Sequence, residues 1–532
     1  YTFISDGGIQ EEISQGAGRI AGYLGLNNLV MFYDSNDIQL STETSAVTTE
    51  NTAAKYEAWG WQVYTIDGNN QDQIRKALVE AISEKEKPVL IIGRTIMGKG
   101  CVAENGESFE GQSSTHGQPI SKAGASFDKT VHNLGGNPDD PFVIFEDVAE
   151  YYDKVAVTKC EKASERKAKE LNWNVSHPEE AKRLQNWLSG QLPDLDWKSI
   201  SQKNNIPSRS ASGAVLAYLA EHMDNLIVMS ADLANSDKTD SFLNKTTAFT
   251  HKDFSGSFLH VGVAELTMAS IANGIALHGG LVPACGTFFV FSDYMKPAVR
   301  MAGLMELQVI YIWTHDAFRV GEDGPTHQPV EHEAQIRLLE QLKNHSGDPS
   351  VLVLRPADAM ETTIAWKIAV ENQKTPTALL LSRQNITDLP VLLSNAYDQA
   401  LQAQHGAYVL KEVNETADVT LIGNGSEVST LYAGALLLEE RLGLKVRVVS
   451  APSEGLFRLQ DKDYQESVIS SGSRIFGLTA GLPSALAGLV GANSIIAGLD
   501  HFGYSAPAEV LDEKFGFTEE SVYNKVSDWL KR

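Results

Sequence analysis

Basic charge is what this chain most lacks. Its 532 residues carry 44 Lys and Arg against 68 Asp and Glu, a net charge of −24. A field of that sign repels nucleic acid and anionic membranes, so neither is expected as a partner. An anionic substrate then needs a local cationic pocket. Cysteine is almost as scarce. Cys101, Cys160 and Cys285 lie far apart, with neither metal-ligand spacing nor a disulfide framework, which is the usage of a reducing compartment. A cytoplasmic location is expected. No apolar run reaches the ~18 residues of a membrane-spanning helix. The opening Tyr-Thr-Phe-Ile-Ser-Asp-Gly-Gly is not a signal peptide. It begins in a strand-like run without Met, so the sequence is expected to start inside a domain.

What is present is ordinary globular material, 42% hydrophobic and 21% charged. The length exceeds the ~250–300 residues at which single cores stop growing, so several domains are expected. Short β-rich runs alternate with helical periods: Thr2 to Ile4, Leu29 to Tyr33, Val63 to Ile66 and Val89 to Ile92 are read as strands. The helix after the third carries Ile74, Leu78, Ala81 and Ile82 at helical spacing, with Asn69 or Asn70 as its cap. Such alternation predicts an α/β fold with parallel or mixed sheets and helices on both faces. Residues 98–120 read as a loop, and residues 145–205 as a charged, largely helical connector with a boundary near Pro193. A second set of strands runs from Leu226, Val309, Val351 and Ala378. A linker is expected at Thr387 to Asn395. A third set includes Val419 to Ile422, which enters Gly423-Asn424-Gly425-Ser426, then a helix ended by Gly443. The expected domains are 1–192, 193–392 and 393–532.

The chemistry-bearing residues cluster at strand ends. Asp6 and Asn36 each follow a buried strand; if the strands are parallel neighbours, both reach one edge of a sheet. A carboxylate, an amide oxygen, a backbone carbonyl and a diphosphate would together suit Mg²⁺, and Gly7 with Gly8 allows close phosphate approach. A plain Asp-Gly-Gly turn is the alternative. Glu265 opens a helix of small residues after Val261-Gly262-Val263-Ala264. It either complements the helix dipole or works as a dry carboxyl. Thr287 to Phe291 holds three Phe, either core or a platform for a heteroaromatic ring. Arg209, Ser212, Ser236, His315 and Arg383 are the candidates for an anion pocket, although a lone Arg is more commonly a surface ion pair. The strand Val309 to Trp313 delivers Thr314-His315-Asp316 and then Gly321-Glu322-Asp323-Gly324-Pro325-Thr326-His327-Gln328-Pro329. Carboxyl ends of strands are where ligands bind in open α/β sheets.

That last loop resembles the substrate loop of transketolases, and the other motifs follow in the family's order from Asp6 to the Phe502-Gly503-Tyr504-Ser505-Ala506-Pro507 stretch. The resemblance implies two thiamine-enzyme domains and a carboxyl-terminal domain, thiamine diphosphate with Mg²⁺ (or Ca²⁺), and a homodimer with interface active sites. It implies transfer of a two-carbon ketol unit from a ketose phosphate to an aldose phosphate in the pentose phosphate pathway. Residue by residue, it implies metal ligation by Asp6, Asn36 and the Ile38 carbonyl. Asp6, Gly7, Glu11, Asn36 and Asp232 fall at cofactor positions. Glu265 matches the acid that activates the aminopyrimidine; Phe288 and Phe291 match the pyrimidine-stacking position and its neighbour, while Phe289 is expected in the core. His116 and His327 match the imidazoles at the donor's carbonyl, and Asp323 the reader of a sugar hydroxyl. Arg209, Ser236, His315 and Arg383 match the phosphate anchors.

Five departures stand beside the resemblance. Ser5 replaces a Gly, Gly16 a Glu of the carboxylate chain, and Asn235 a Pro. A longer segment runs from Glu331 to Arg355; its Gln335, Arg337, Glu340 and Lys343 among leucines predict an extended surface helix. Nothing corresponds to the histidine-bearing segment that precedes the Asp-Gly motif in transketolases, which keeps open a non-catalytic or complementing subunit paired with a separate amino-terminal half. A deoxyxylulose-phosphate synthase is the enzymatic alternative; Gln-Pro after His327 and the Arg383 motif favour transketolase.

Overall fold

The computed structural model describes residues 1–414, 416–491 and 493–531. The chain falls into two compact units, residues 1–185 with 250–253, and residues 186–249 with 254–532.

The first unit holds a parallel sheet of β1 (Thr2–Ser5), β2 (Val30–Ser35), β3 (Gln62–Asp67) and β4 (Val89–Arg94) in the order β1-β2-β4-β3. Val89, Leu90 and Ile91 of the central β4 are fully buried, as its unbroken apolar run requires of a strand covered on both faces. Ser5 pairs with Asp34, so both chains leave the sheet at the same edge just before Asp6 and Asn36. Helix α1 (Glu12–Leu24) ends at Gly25, whose left-handed φ of 66° stops it. Helix α2 (Gln71–Ser83) is capped by Asn70, which accepts from the Asp72 and Gln73 amides. Its buried stripe is Ala77 and Ala81, whereas Ile82 is exposed; the small side chains let the helix sit close to the sheet. Helix α3 (Glu146–Ser176) spans 31 residues and buries none of them.

In the second unit a six-stranded parallel sheet runs in the order β6-β5-β7-β8-β10-β9. Its strands are β5 (Leu226–Ser230), β6 (Phe258–His260), β7 (Val282–Phe288), β8 (Ile310–Thr314), β9 (Leu352–Leu354) and β10 (Thr377–Leu381). Side chains alternate between the faces. Ile310 and Ile312 pack with Val215, Leu219, Trp366 and Ala369, from α4 (Ser208–His222) and another helix introduced below. Trp313 on the other face donates its indole N–H to Met295 Sδ at 3.3 Å. That face carries α5 (Glu265–His278) and α6 (Ser292–Leu304).

The segment from Glu331 to Arg355 corrects the sequence-based expectation. Its helix, α7 (His332–Gln341), buries its charges: Arg337 is 2% and Glu340 3% exposed, while Leu338 is 66% exposed. The reason is a polar neighbour. Arg337 donates to Glu333 at 3.1 Å, to Glu340 at 2.8 Å and to the Val353 carbonyl at 3.1 Å. A buried guanidinium is tolerated where its terminal nitrogens are paired in this way, Nε alone having no partner among the described residues, and periodicity alone does not reveal it.

Helix α8 (Ala359–Glu371) supplies Trp366 and Ala369 to the six-stranded sheet and joins it to the last one. That sheet comprises β11 (Tyr408–Lys411), β12 (Val419–Gly423), β13 (Val446–Ser450), β14 (Ile475–Leu478) and β15 (Ser494–Ala497) in the order β11-β13-β12-β14-β15. Only β11 is antiparallel. Helix α9 (Glu427–Leu442) buries Val428, Leu431 and Ala435 and ends at Gly443, φ 66°, as its spacing predicts. Ala357 and Ile364 share one hydrophobic cluster with Leu421, Val428 and Phe476, so the second and third sheets have a common core. No helix among the described residues is long and apolar enough to cross a membrane.

Candidate functional site

Two groups of polar side chains stand at strand ends, one in each unit. In the first unit, Asp6 is 1% exposed. Tyr33 donates its hydroxyl to Oδ1 at 2.6 Å and the Asn36 amide donates to Oδ2 at 3.0 Å. Burial raises the affinity of this carboxyl for its proton, partly opposed by the Tyr33 bond. Among the described residues no Lys or Arg forms an ion pair with it. The Asn36 side-chain oxygen accepts from the Ile38 amide at 3.0 Å, which curls the loop so that Ile38 lies beside the same edge. A Cβ added at Gly7 meets nothing within 4 Å, so the approach is open. A cavity of about 520 Å³ adjoins Asp6, Thr44, Asn51, Lys55 and Arg94. Hard oxygens around a buried, cation-free carboxylate fit a divalent ion and a phosphate ester. The structure places Asp6, Asn36 and Ile38 at one sheet edge, together with Tyr33 and Arg94, neither of which the sequence singles out. Arg94 donates to Ser35 Oγ at 2.8 Å and to Asp37 at 3.2 Å; a strand-terminal Arg is the signal that was present.

Glu11 lies exposed ahead of α1 and makes no side-chain cap bond. His116 is half-buried on its loop, with Nδ1 enclosed and without a partner among the described residues.

In the second unit, Glu265 is the first residue of α5 and only 8% exposed. Thr287 donates to Oε1 at 3.5 Å. Burial holds the carboxyl above the ordinary range, the Thr287 bond and its own amide opposing. β7 ends at Phe288, and a short turn carries Phe291. The two rings are nearly parallel, 9° apart with centroids at 5.9 Å. Phe289 is 1% exposed and stacks on Trp313, in the core as expected. His315 lies 3.6 Å from Phe288, ring to ring, and His327 stands edge-on to both Phe288 and Phe291, at 6.2 and 5.6 Å.

The cationic residues converge here. Arg209 donates through Nη1 to the Ser236 carbonyl at 2.9 Å and lies 3.4 Å from His315 Nε2. Its Nε is enclosed and has no partner among the described residues. Burial, then the nearby Arg383, depresses its basicity, with Asp237 and Asp323 opposing. Two guanidiniums close enough to repel, one with a donor left over, have the chemistry to hold an anion. For His315, burial and then the fields of Arg209 and Arg383 pull the imidazole down to about 2. Arg383 also lines a cavity of about 550 Å³ with Gln384, Ser426 and Arg319. Asp323 is exposed on the loop, and Asp232 is exposed with a left-handed φ of 62°.

Ser212 does not join this pocket. It is fully buried and accepts from the Trp366 indole at 2.9 Å; it lies on the core-facing side of α4. Sequence reading also missed Asp237, which is fully buried and accepts from Ser230 and from both the amide and hydroxyl of Thr239. Burial pushes it up to about 6. It pins the turn carrying Ser236, and no periodicity signals such a role.

Comparison with known proteins gives the same picture along the whole chain. Residues 1–193 match the family described as Transketolase, thiamine diphosphate binding domain, residues 204–388 the Transketolase, pyrimidine binding domain, and residues 406–518 the Transketolase-like TK C-terminal domain. The transketolase of Halalkalibacterium halodurans is 38% identical over 537 residues, spanning all of this chain and 77% of that protein. That of Bacillus subtilis is 37% identical, spanning all of this chain and 78% of the relative. Among solved structures, transketolase from Leishmania mexicana superposes with a TM-score of 0.89 at 32% identity, covering all of this chain and 75% of that one. Transketolase from Pichia stipitis in complex with sedoheptulose 7-phosphate gives 0.87 at 29% identity, covering 99% and 76%.

Proposed function

This chain belongs to the transketolase family of thiamine-diphosphate-dependent transferases, and we propose that the two groups of residues described above divide its ketol transfer between cofactor anchoring and substrate handling. The first group anchors a diphosphate: Asp6, Asn36 and the Ile38 carbonyl would hold Mg²⁺, with Gly7 giving phosphate access, and Glu11 and Asp232 take the remaining cofactor positions. When bound, thiamine diphosphate supplies the nucleophilic carbon and the electron sink for breaking the bond beside a ketose carbonyl. Glu265 holds a proton on its buried carboxyl and presents it to a ring nitrogen; Phe288 and Phe291 orient that ring and exclude water.

Substrate handling falls to the second group with His116. Arg209, Arg383, His315 and Ser236 bind the phosphate of the sugar. His327 Nε2 and His116 polarise the donor carbonyl and relay protons, and Asp323 accepts from a sugar hydroxyl. The substrates are ketose and aldose phosphates of the pentose phosphate pathway, the assembly a homodimer with each active site at the interface, and the location the cytoplasm. The proposed domain limits are 1–192, 193–392 and 393–532.

The convergence of Arg209, Arg383 and His315 on the aromatic pair at Phe288 carries this reading, because it solves the problem set by a net charge of −24. The test is Glu265→Ala in the purified full-length protein, assayed for ketol transfer between a ketose phosphate and an aldose phosphate. Loss of at least about 10³-fold is expected of a proton-handling group; turnover within tenfold of the parent removes Glu265 from its role.

A further inference from the structure

The glycine-rich turn after β12 is left without a role by ketol transfer. In an open α/β sheet, ligands sit beyond the carboxyl ends of the strands where strand order reverses. Here the chain passes from β12 to β13 on one side and then to β14 on the other. The crevice therefore lies between residues 424–426 and 479–482, and the protein fills it itself. Arg355, 1% exposed, follows β9 of the neighbouring sheet and lies against Gly425. A Cβ at Gly425 would stand 2.7 Å from the guanidinium carbon, and φ there is +57°. Arg355 donates to Asn424 Oδ1 at 2.8 Å, to Asp316 Oδ2 at 2.9 Å, and to Glu427. Glu427, fully buried at the head of α9, takes a second guanidinium from Arg319 and the Ala480 amide at 3.3 Å. Arg319 is fixed in turn by Asp512 at 2.7 Å and Ser426 at 3.0 Å.

These two arginines bracket the substrate residues. Asp316, gripped by Arg355, directly follows His315, which is held at φ 64°. A non-glycine residue there is strained and persists only where its surroundings over-determine it. Arg319 lies two residues before Gly321, where the loop to His327 begins. Gln384, next to Arg383, donates to Ser426 Oγ at 3.2 Å, so the same turn also steadies the second phosphate anchor.

We propose that Glu427 is a positioning residue for ketol transfer: acting through Arg355 and Arg319, it holds His315 and the loop of residues 321–328 in register for the sugar phosphate. The inference rests on the roles given above to His315 and His327. Replacing Glu427 by Gln keeps its volume and removes the charge shared by two guanidiniums. In the full-length protein loaded with thiamine diphosphate and Mg²⁺, kcat/KM for the ketose phosphate is expected to fall about 30-fold, a rise of about 2 kcal/mol in the barrier. Affinity for thiamine diphosphate, measured by calorimetry, is expected to stay within about twofold on the same scale. If Glu427→Gln does not fold, Ser426→Ala decides, with an expected drop of about threefold to tenfold in kcat/KM at retained cofactor affinity. Turnover within twofold of the parent, or cofactor affinity falling in parallel with turnover, overturns the proposal. A parent protein without ketol transfer would instead fail the functional reading, and His315→Ala with parental activity would fail the roles beneath the inference.

Discussion

Arg209 Nη1 stands 3.4 Å from His315 Nε2. A guanidinium only donates, so the imidazole accepts at Nε2 and carries its proton on Nδ1, donating to Thr314 Oγ1 at 2.9 Å. The ring is thus a neutral, fixed tautomer, already turned toward Arg209, a proposed phosphate anchor.

His315 should therefore be silent in an NMR pH titration. With its folded value near 2 and an unfolded value of about 6.5, the unfolded chain binds the extra proton as pH drops below about 6.5. Stability supplied by keeping the ring neutral is present above that pH and is withdrawn on acidification. A His315 resonance that titrates between pH 6 and 7 in the folded protein would contradict the burial described here.

Asp237 gives the opposite slope. Its folded value of about 6 lies above the ordinary 3.8, so the native state holds more protons between those limits. Stability then falls as pH rises from about 4 to about 6. Asp237→Asn keeps acceptors for Thr239 and removes this term. Denaturant midpoints compared at pH 4.5 and 7 should show the variant gaining on the parent as pH rises; parallel curves would count against the burial assigned to this carboxyl.

Removing Asp6 tests the metal-binding role proposed for its sheet edge. Asp6→Ala should abolish saturable binding of thiamine diphosphate with Mg²⁺ in calorimetry while leaving the fold intact by circular dichroism. Unchanged binding would mean that the ligands lie elsewhere.

Arg337→Met should destabilise by about 3–5 kcal/mol, because it leaves Glu333 and Glu340 buried without their guanidinium. The triple variant, in which Glu333 and Glu340 are also made Gln, should recover much of that loss. Chemical denaturation of the two proteins measures it.

Much of the fold was legible because strand ends announce themselves. The apolar run at Val309 to Trp313 and the cap at Asn70 stand where local pattern places them. The pairing of Asp6 with Asn36 also follows from strand order alone. The charged face of α7 was not legible, since Leu338 outside and Arg337 inside reverse the usual pattern for a reason that lies in the Val353 and Pro452 carbonyls. Ser212 was drawn into the anion pocket by its nearness to Arg209 in sequence, yet one helical face separates them. Glu427, Arg355 and Arg319 escaped because their meeting depends on two sheets coming together, which no window of sequence contains.

The common interior of the last two sheets has a mechanical consequence. Leu389, between β10 and β11, is 5% exposed and its amide donates to Asp358 at 3.2 Å, so the connecting segment is tied down at that point, and the Leu392 amide is held by Gln399 at 2.8 Å further on. Residues 186–249 and 254–532 should then melt in one cooperative step, and limited proteolysis should not liberate an intact carboxyl-terminal fragment, because cutting there would tear a single folding unit rather than sever a tether.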